Sequence, residues 1–260
     1  MNHTLHRVTG AAAAIFILAA LPAAADDRDV KQRVLDRLAK SKLVSEGAVE
    51  VSADQGAVIL EGAVTTVAAR REAERAARKE SKVVENRLRV LPEQRTDAQI
   101  TKDVRNAILR YPNYGVFDSV ELGVDNGVVT LAGSVYRPNR KSDLDAAVAR
   151  VAGVRAIENQ ISVQSLSPFD DQLRRQIYAR IYGSIDFAQY SNRANPPIRI
   201  IVDRGRVTLT GFVQSPVERV QIESIARQTL AFDVVSKLHV DGEQPEDAKP
   251  APIEGPALEI

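Results

Sequence analysis

The sequence predicts an α/β protein of the two-layer α+β sandwich class: three tandem small α-β-β-α-β domains, each a three-stranded mixed sheet with two helices on one face. Three observations predict it. A nine-residue cadence, Asp-x-Gly followed by alternating apolar residues and a closing Gly, occurs at 54–62 (DQGAVILEG), 125–133 (DNGVVTLAG) and 203–211 (DRGRVTLTG). The closing glycines stand 71 and 78 residues apart, longer than the periods of stacked solenoid repeats, so each copy is a small domain. Around each cadence the apolar residues recur at helical spacing, which gives the same element order three times.

The elements follow in order. The opening helix buries Val30, Val34 and Leu38 in copy one, Ile100, Val104, Ala107 and Ile108 in copy two, and Leu173, Ile177 and Ile181 in copy three. Asp97, and Asp170 with Asp171, stand where N-cap or first-turn carboxylates belong. A short apolar strand comes next (49–51, 120–124, 198–202). The Asp-x-Gly turn closes a tight hairpin, with Gly56, Gly127 and Gly205 supplying positive φ. On the motif strand Val58 and Leu60, Val129 and Leu131, and Val207 and Leu209 share the face turned to the helices. The opposite face grows more polar from Ala57, Ile59 and Glu61 through Val128, Thr130 and Ala132 to Arg206, Thr208 and Thr210. The second sheet therefore has the most apolar outer surface, a surface for a neighbouring domain or partner to cover.

Gly62, Gly133 and Gly211 end the motif strand, and a second helix follows. Its apolar face is Leu144, Ala147, Val148 and Val151 in copy two, Ile222, Ile225 and Ala226 in copy three, and only Ala73, Ala76 and Ala77 in copy one, which predicts the thinnest core there. In copy one this helix also carries Arg70, Arg71, Arg75 and Arg78 among glutamates, a mixed-charge solvated face or a docking surface for anionic lipid. Continuous strands at 84–90, 157–163 and 234–240 close the units, with Asn86, Asn159 and Ser236 at inward parity, placed to satisfy local backbone groups. The right-handed crossover rule sets each closing strand parallel to the motif strand, while the first hairpin strand is antiparallel to it.

Residues 1–25 read as a cleavable secretory signal: Arg7, eleven apolar residues at 11–21, then Pro22 and three alanines, with cleavage after Ala25. That apolar run is about half the ~20 residues a spanning helix needs. The domains are expected at 26–95, 96–165 and 166–241, joined by linkers at 92–96 and 165–168 too short for free tumbling, with a disordered Pro-rich acidic tail at 242–260. The expected location is the periplasm.

Composition excludes several functions. Without the signal the chain holds 34 basic and 34 acidic residues, no field to steer nucleic acid. Cysteine is absent, and His239 is the one histidine outside the signal, a solvent-facing strand residue. That inventory offers no His- or Cys-ligated metal site and no His-based nucleophilic triad, and Gly-x-Ser-x-Gly, phosphate-loop and His-Glu-x-x-His patterns are missing, so neither metal nor cofactor is expected. The chain reads as a non-enzyme without catalytic residues.

The Asp-x-Gly hairpin, the Val-x-Leu-x-Gly strand, the amphipathic helix and the closing Val-Glu-Asn-x-Leu-x-Val pattern together resemble the BON domain, the module of bacterial osmotically inducible and nodulation-associated proteins. The resemblance spans 28–241 as three copies. It is fullest in copy two, with GVVTLAG at 127–133 and VRAIENQISV at 154–163. Copy one has Glu80 where copy two has Val151; copy three has Ser236-Lys237 in place of Glu-Asn and a longer segment at 183–197. The resemblance implies a non-catalytic envelope component that associates with phospholipid surfaces or envelope proteins and supports osmotic or envelope-stress tolerance, with chaperone-like recognition of polypeptide as the alternative.

The surface candidates for binding are aromatic. Tyr111, Tyr114 and Phe117 lie between helix and hairpin in copy two, and Tyr178, Tyr182, Phe187 and Tyr190 span the matching region of copy three. Aromatic rings with a polar tip suit a water–headgroup interface; the competing reading is that they roof the small cores. Arg137, with Arg140 and Lys141, can add headgroup contacts, offset by Asp143 and Asp145. The six glycines of the cadence are assigned to turn and strand rather than to binding.

Overall fold

The computed structural model describes residues 27–45, 47–193 and 195–241. The expected signal at 1–25 and the expected tail at 242–260 lie outside the described residues.

The first unit comprises α1 (Asp27–Ala39), β1 (Val49–Asp54), β2 (Ala57–Val64), α2 (Val67–Arg78), β3 (Val83–Asn86) and β4 (Arg89–Val90). The second repeats this as α3 (Asp97–Leu109), β5 (Ser119–Asp125), β6 (Val128–Val135), α4 (Pro138–Val148), β7 (Ala156–Asn159) and β8 (Ser162–Val163). The third comprises α5 (Pro168–Tyr182), a 3-10 turn (Ile185–Phe187), α6 (Ala188–Ser191), β9 (Ile198–Asp203), β10 (Arg206–Val213), α7 (Pro216–Arg227) and β11 (Asp233–Val240). The motif strand is central in every sheet, antiparallel to the strand before it and parallel to the closing strand.

Each motif strand buries the pair that its parity predicts: Val58 and Leu60, Val129 and Leu131, Val207 and Leu209 are fully buried beneath two helices. The first core is built from valine, leucine and the alanines of α2, with no aromatic ring, whereas the third contains Tyr182, Phe187 and Tyr190.

The cadence is a hairpin held shut from outside. Its two turn residues both take positive φ: Gln55 50° and Gly56 78°, Asn126 48° and Gly127 77°, Arg204 51° and Gly205 75°. That is the I′ geometry whose twist matches a two-residue hairpin. In each unit one carboxylate at the start of the opening helix accepts both turn amides. Asp27 takes them at 2.9 and 2.8 Å, Asp97 at 2.9 and 2.9 Å, Asp170 at 3.0 and 2.7 Å. Such charge-assisted pairs lock helix to hairpin, and the acid gains further from the helix N-terminus. The closing glycine has a separate cause: a Cβ on Gly133 would sit 2.3 Å from the Ser119 carbonyl oxygen.

The closing strand departs from expectation in two units. It is continuous only as β11; in the first and second units it breaks after Asn86 and Asn159. Asn86 Oδ1 accepts the amide of Leu88 at 3.1 Å, and Asn159 Oδ1 that of Ile161 at 3.2 Å, an Asx turn that interrupts the ladder. Their Nδ2 groups donate to carbonyls of the second helix, Arg70 at 3.4 Å and Lys141 at 3.1 Å. The register is the same on both sides of the break. Ser236 lacks the reach to repeat this, so β11 runs through.

Exposed apolar residues on the outer sheet faces also fall elsewhere than expected. Phe212 and Val235 on the third sheet and Val83 on the first are exposed, while Val128, Thr130 and Ala132 on the second are partly covered.

Candidate functional site

Two junctions join the units, and both insert apolar residues of one unit into the core of the next. At the first, Val67 and Ala68 of α2 are buried in the second core. The Ala68 amide donates to the Ala149 carbonyl at 2.9 Å, and Arg71 pairs with Asp145. Beside this contact an open groove of about 540 Å³ is lined by Arg71, Arg75, Arg78, Arg150, Glu74 and Asp145, among others. Three of the arginines are paired, with Asp145, Glu72 and Glu74, so the groove has a mixed rather than a cationic lining.

At the second junction the 111–117 loop performs the insertion. Val116 is buried in the third core and Phe117 packs against it. The Ile200 amide, on the outer edge of β9, donates to the Val116 carbonyl at 2.7 Å, and Arg199 donates to the Gly115 carbonyl at 2.9 Å. The edge of the third sheet is thereby partly capped. A polar network fills the space behind. Arg174, 2% exposed, donates to Asp171 at 2.7 Å, to Gln164 Oε1 at 3.2 Å, to the Ser165 carbonyl at 3.0 Å and to the Val202 carbonyl. Gln164 reaches back to the Phe117 carbonyl at 2.7 Å. Asp118, fully buried, takes Arg140 at 2.5 Å and the amides of Gly115 and Tyr136. The Tyr136 ring lies against three guanidinium groups, with Arg174 4.6 Å, Arg137 4.9 Å and Arg140 5.6 Å from its centroid.

The aromatic candidates are placed as follows. The Tyr114 ring stacks under Arg199 at 4.8 Å, its hydroxyl accepts the Val120 amide at 3.2 Å, and burial raises its pKa. Phe117 is held between Tyr136 and Tyr178, at 5.9 and 6.0 Å between centroids. Tyr111 packs on the second core and donates to Asp143 at 2.6 Å. Tyr182, Phe187 and Tyr190 are buried, at 8%, 3% and 1% exposure. The Tyr182 hydroxyl donates to the Ile198 carbonyl at 2.5 Å, and burial pushes its pKa well up. Tyr190 donates to Glu218 at 2.5 Å; burial first, and that carboxylate second, push its hydroxyl up to about 12. Arg137 is exposed. The tyrosine and phenylalanine candidates thus roof the cores and join two units, and Tyr182, Phe187 and Tyr190 present no ring to solvent. His239 is exposed on the outer sheet face, its ring 5.7 Å from that of Phe212.

Sequence reasoning passed over the residues that stand free. Phe232, 78% exposed, stacks on Phe169 at 5.4 Å, beside Leu230 at 73%. The signal was available by comparing copies: the residue before the closing strand is Lys82, Arg155 or Phe232. Among the described residues no group of three or more His, Cys, Asp or Glu side chains is placed to hold a metal ion, and no described helix is long and apolar enough to cross a membrane.

The arrangement is three hairpin-clamped units in series, joined by apolar insertions from one unit into the next. The family model for the BON domain matches residues 26–92, 96–165 and 170–242, and the protein belongs to that family, a family of non-catalytic binding modules. No curated protein matches the chain significantly. Among solved structures it is similar to CdsD, a structural protein of the type III secretion system of Chlamydia trachomatis, at 12% identity, with 81% of this chain and 91% of that chain covered and a TM-score of 0.24. The C-terminal domain of CdsD matches at 12% identity, covering 83% and 99%, with a TM-score of 0.25. Superpositions at that level carry no argument about this chain.

Proposed function

We propose that the protein is a non-catalytic scaffold of the bacterial envelope that binds phospholipid membrane surfaces from the periplasm and supports osmotic or envelope-stress tolerance. The observation that carries this reading is where the apolar surface lies. Eight of the thirteen exposed large apolar side chains among the described residues fall between Tyr178 and Val235, in the third unit. A surface of that kind suits an interface rather than a small-molecule pocket. Flotation of the full chain with vesicles tests it: the protein is expected to rise with phosphatidylglycerol-containing vesicles. Absence from both those and phosphatidylcholine vesicles would remove the reading.

One observation favours a second reading, recognition of polypeptide. β11 is an uninterrupted eight-residue strand at the sheet edge, a template for strand addition that the broken closing strands of the other units lack. Suppression of aggregation of an unfolding client, abolished by Val235→Pro, is the expected result for that reading.

A further inference from the structure

The three units act as an internal control. Positions that carry the fold repeat, so an exposed residue found in one copy alone is not required by it. At the hairpin tip of the third unit four such exposed differences converge, joined by a fifth, Phe169, that is partly buried against the third core. The first turn residue is Arg204 against Gln55 and Asn126, and the first strand residue is Arg206 against Ala57 and Val128. The residue before the closing strand is Phe232 against Lys82 and Arg155, and two residues earlier Leu230 stands against Glu80 and Gly153. The residue ahead of the carboxylate that clamps the turn is Phe169, where the second unit has Thr96.

These residues are adjacent in space. The Phe232 amide donates to the Gly205 carbonyl at 2.8 Å, and a Cβ on Gly205 would lie 2.5 Å from the Phe232 ring and 3.2 Å from that of Phe169. The stacked rings therefore lie directly over the turn that Arg204 begins, and Arg204 and Arg206 are both exposed. Two nearby carboxylates are engaged: Asp170 holds the turn amides and Asp203 accepts the Ser165 amide at 2.7 Å. Asp233, cross-strand from Arg206, is exposed. The tip is apolar at its centre and flanked by two exposed cations and one exposed carboxylate.

We infer that this tip is the point at which the third unit enters an anionic phospholipid bilayer, with Phe232 and Leu230 at the acyl–headgroup boundary, Phe169 supporting the Phe232 ring from the core side, and Arg204 and Arg206 on lipid phosphates. The inference rests on the membrane reading above and deepens it. The mix of groups selects this occupant: exposed aromatic and aliphatic side chains beside the exposed Arg204 and Arg206, with one exposed carboxylate, Asp233, cross-strand from Arg206, match the order of layers in a bilayer interface.

The test uses the full chain with vesicles of phosphatidylcholine alone and with phosphatidylglycerol added at roughly one part in four. Phe169→Thr with Phe232→Gln is expected to weaken binding to both about tenfold or more. Arg204→Asn with Arg206→Val, the residues of the second unit, is expected to remove the preference for the anionic vesicles. Because the chain contains no tryptophan, Phe232→Trp also makes a single reporter, whose emission is expected to shift to the blue on adding vesicles. If the wild-type chain binds vesicles while the double-phenylalanine variant binds equally well, or the reporter emission stays unshifted, the tip is overturned and the membrane reading stands. If the wild-type chain binds neither vesicle, both fall.

Discussion

The two junctions solve one problem with different chemistry. Each places two apolar residues of one unit in the core of the next, Val67 and Ala68 at the first, Val116 and Phe117 at the second. The first adds one backbone hydrogen bond and an ion pair whose arginine is 41% exposed. The second adds a backbone bond to a sheet edge and two buried charges, Asp118 and Arg174, each held by several partners. A buried charge is costly unless every partner is in place, so the second junction tolerates little displacement, whereas the first can shift with small loss. The second and third units are therefore expected to open as one body, with the first attached more loosely. The aromatic loop of the second unit belongs to this joint, and the membrane contact proposed above lies instead at the hairpin tip of the third unit.

Substitutions should separate the junctions in order of effect. Arg174→Met removes the guanidinium donor from Asp171, Gln164 and the Ser165 and Val202 carbonyls, and should cost about 3–5 kcal/mol by denaturant titration. Phe117→Ala removes a partly buried ring from the third core and should cost about 2 kcal/mol in the same titration, with little effect on the first unit. Arg71→Ala, at the first junction, should cost less than about 1 kcal/mol and lose even that in high salt. An equal cost at Arg71 and Arg174 would break the distinction.

Two titrations sharpen it at the level of single units. The Tyr190 hydroxyl has its pKa raised from 10.0 to about 12, so the folded state binds its proton more tightly. Its contribution is present below pH 10 and is lost as pH rises through 12; absorbance of the phenolate should show Tyr190 ionising late, and Tyr190→Phe should flatten that alkaline limb. Glu80 is shifted the other way, held below the usual carboxylate range by hydrogen bonds from Arg33 and then Arg37. Its contribution is present above the unfolded carboxylate pKa and is lost as pH falls through the folded one, so Glu80→Gln should flatten the acid limb of the first unit's melting temperature, by a small amount.

Helix phases, the hairpin, the central strand and the parallel closing strand were legible because each is a matter of period or of a turn only glycine suits. Asn86 and Asn159 were recognised as serving backbone groups, yet the break they impose was not, since it depends on which amide the side chain accepts. The role of the 111–117 loop was hidden for a different reason. Whether Phe117 faces solvent is decided by the neighbouring unit, and Arg174 reads in the sequence as an ordinary helix-surface charge. Phe169 and Phe232 are far apart in sequence, and only the sheet register makes them a pair.

The central claim concerns cooperativity between units, and two amides report it directly in native-state hydrogen exchange of the full chain. The Ile200 amide bonds across the second junction and the Ala68 amide across the first. The account predicts that Ile200 is protected as strongly as the core amides of Val129 and Leu209, opening only when the second and third units open together, while Ala68 exchanges at lower free energy. Exchange of Ile200 as fast as Ala68, with both cores still protected, would contradict it.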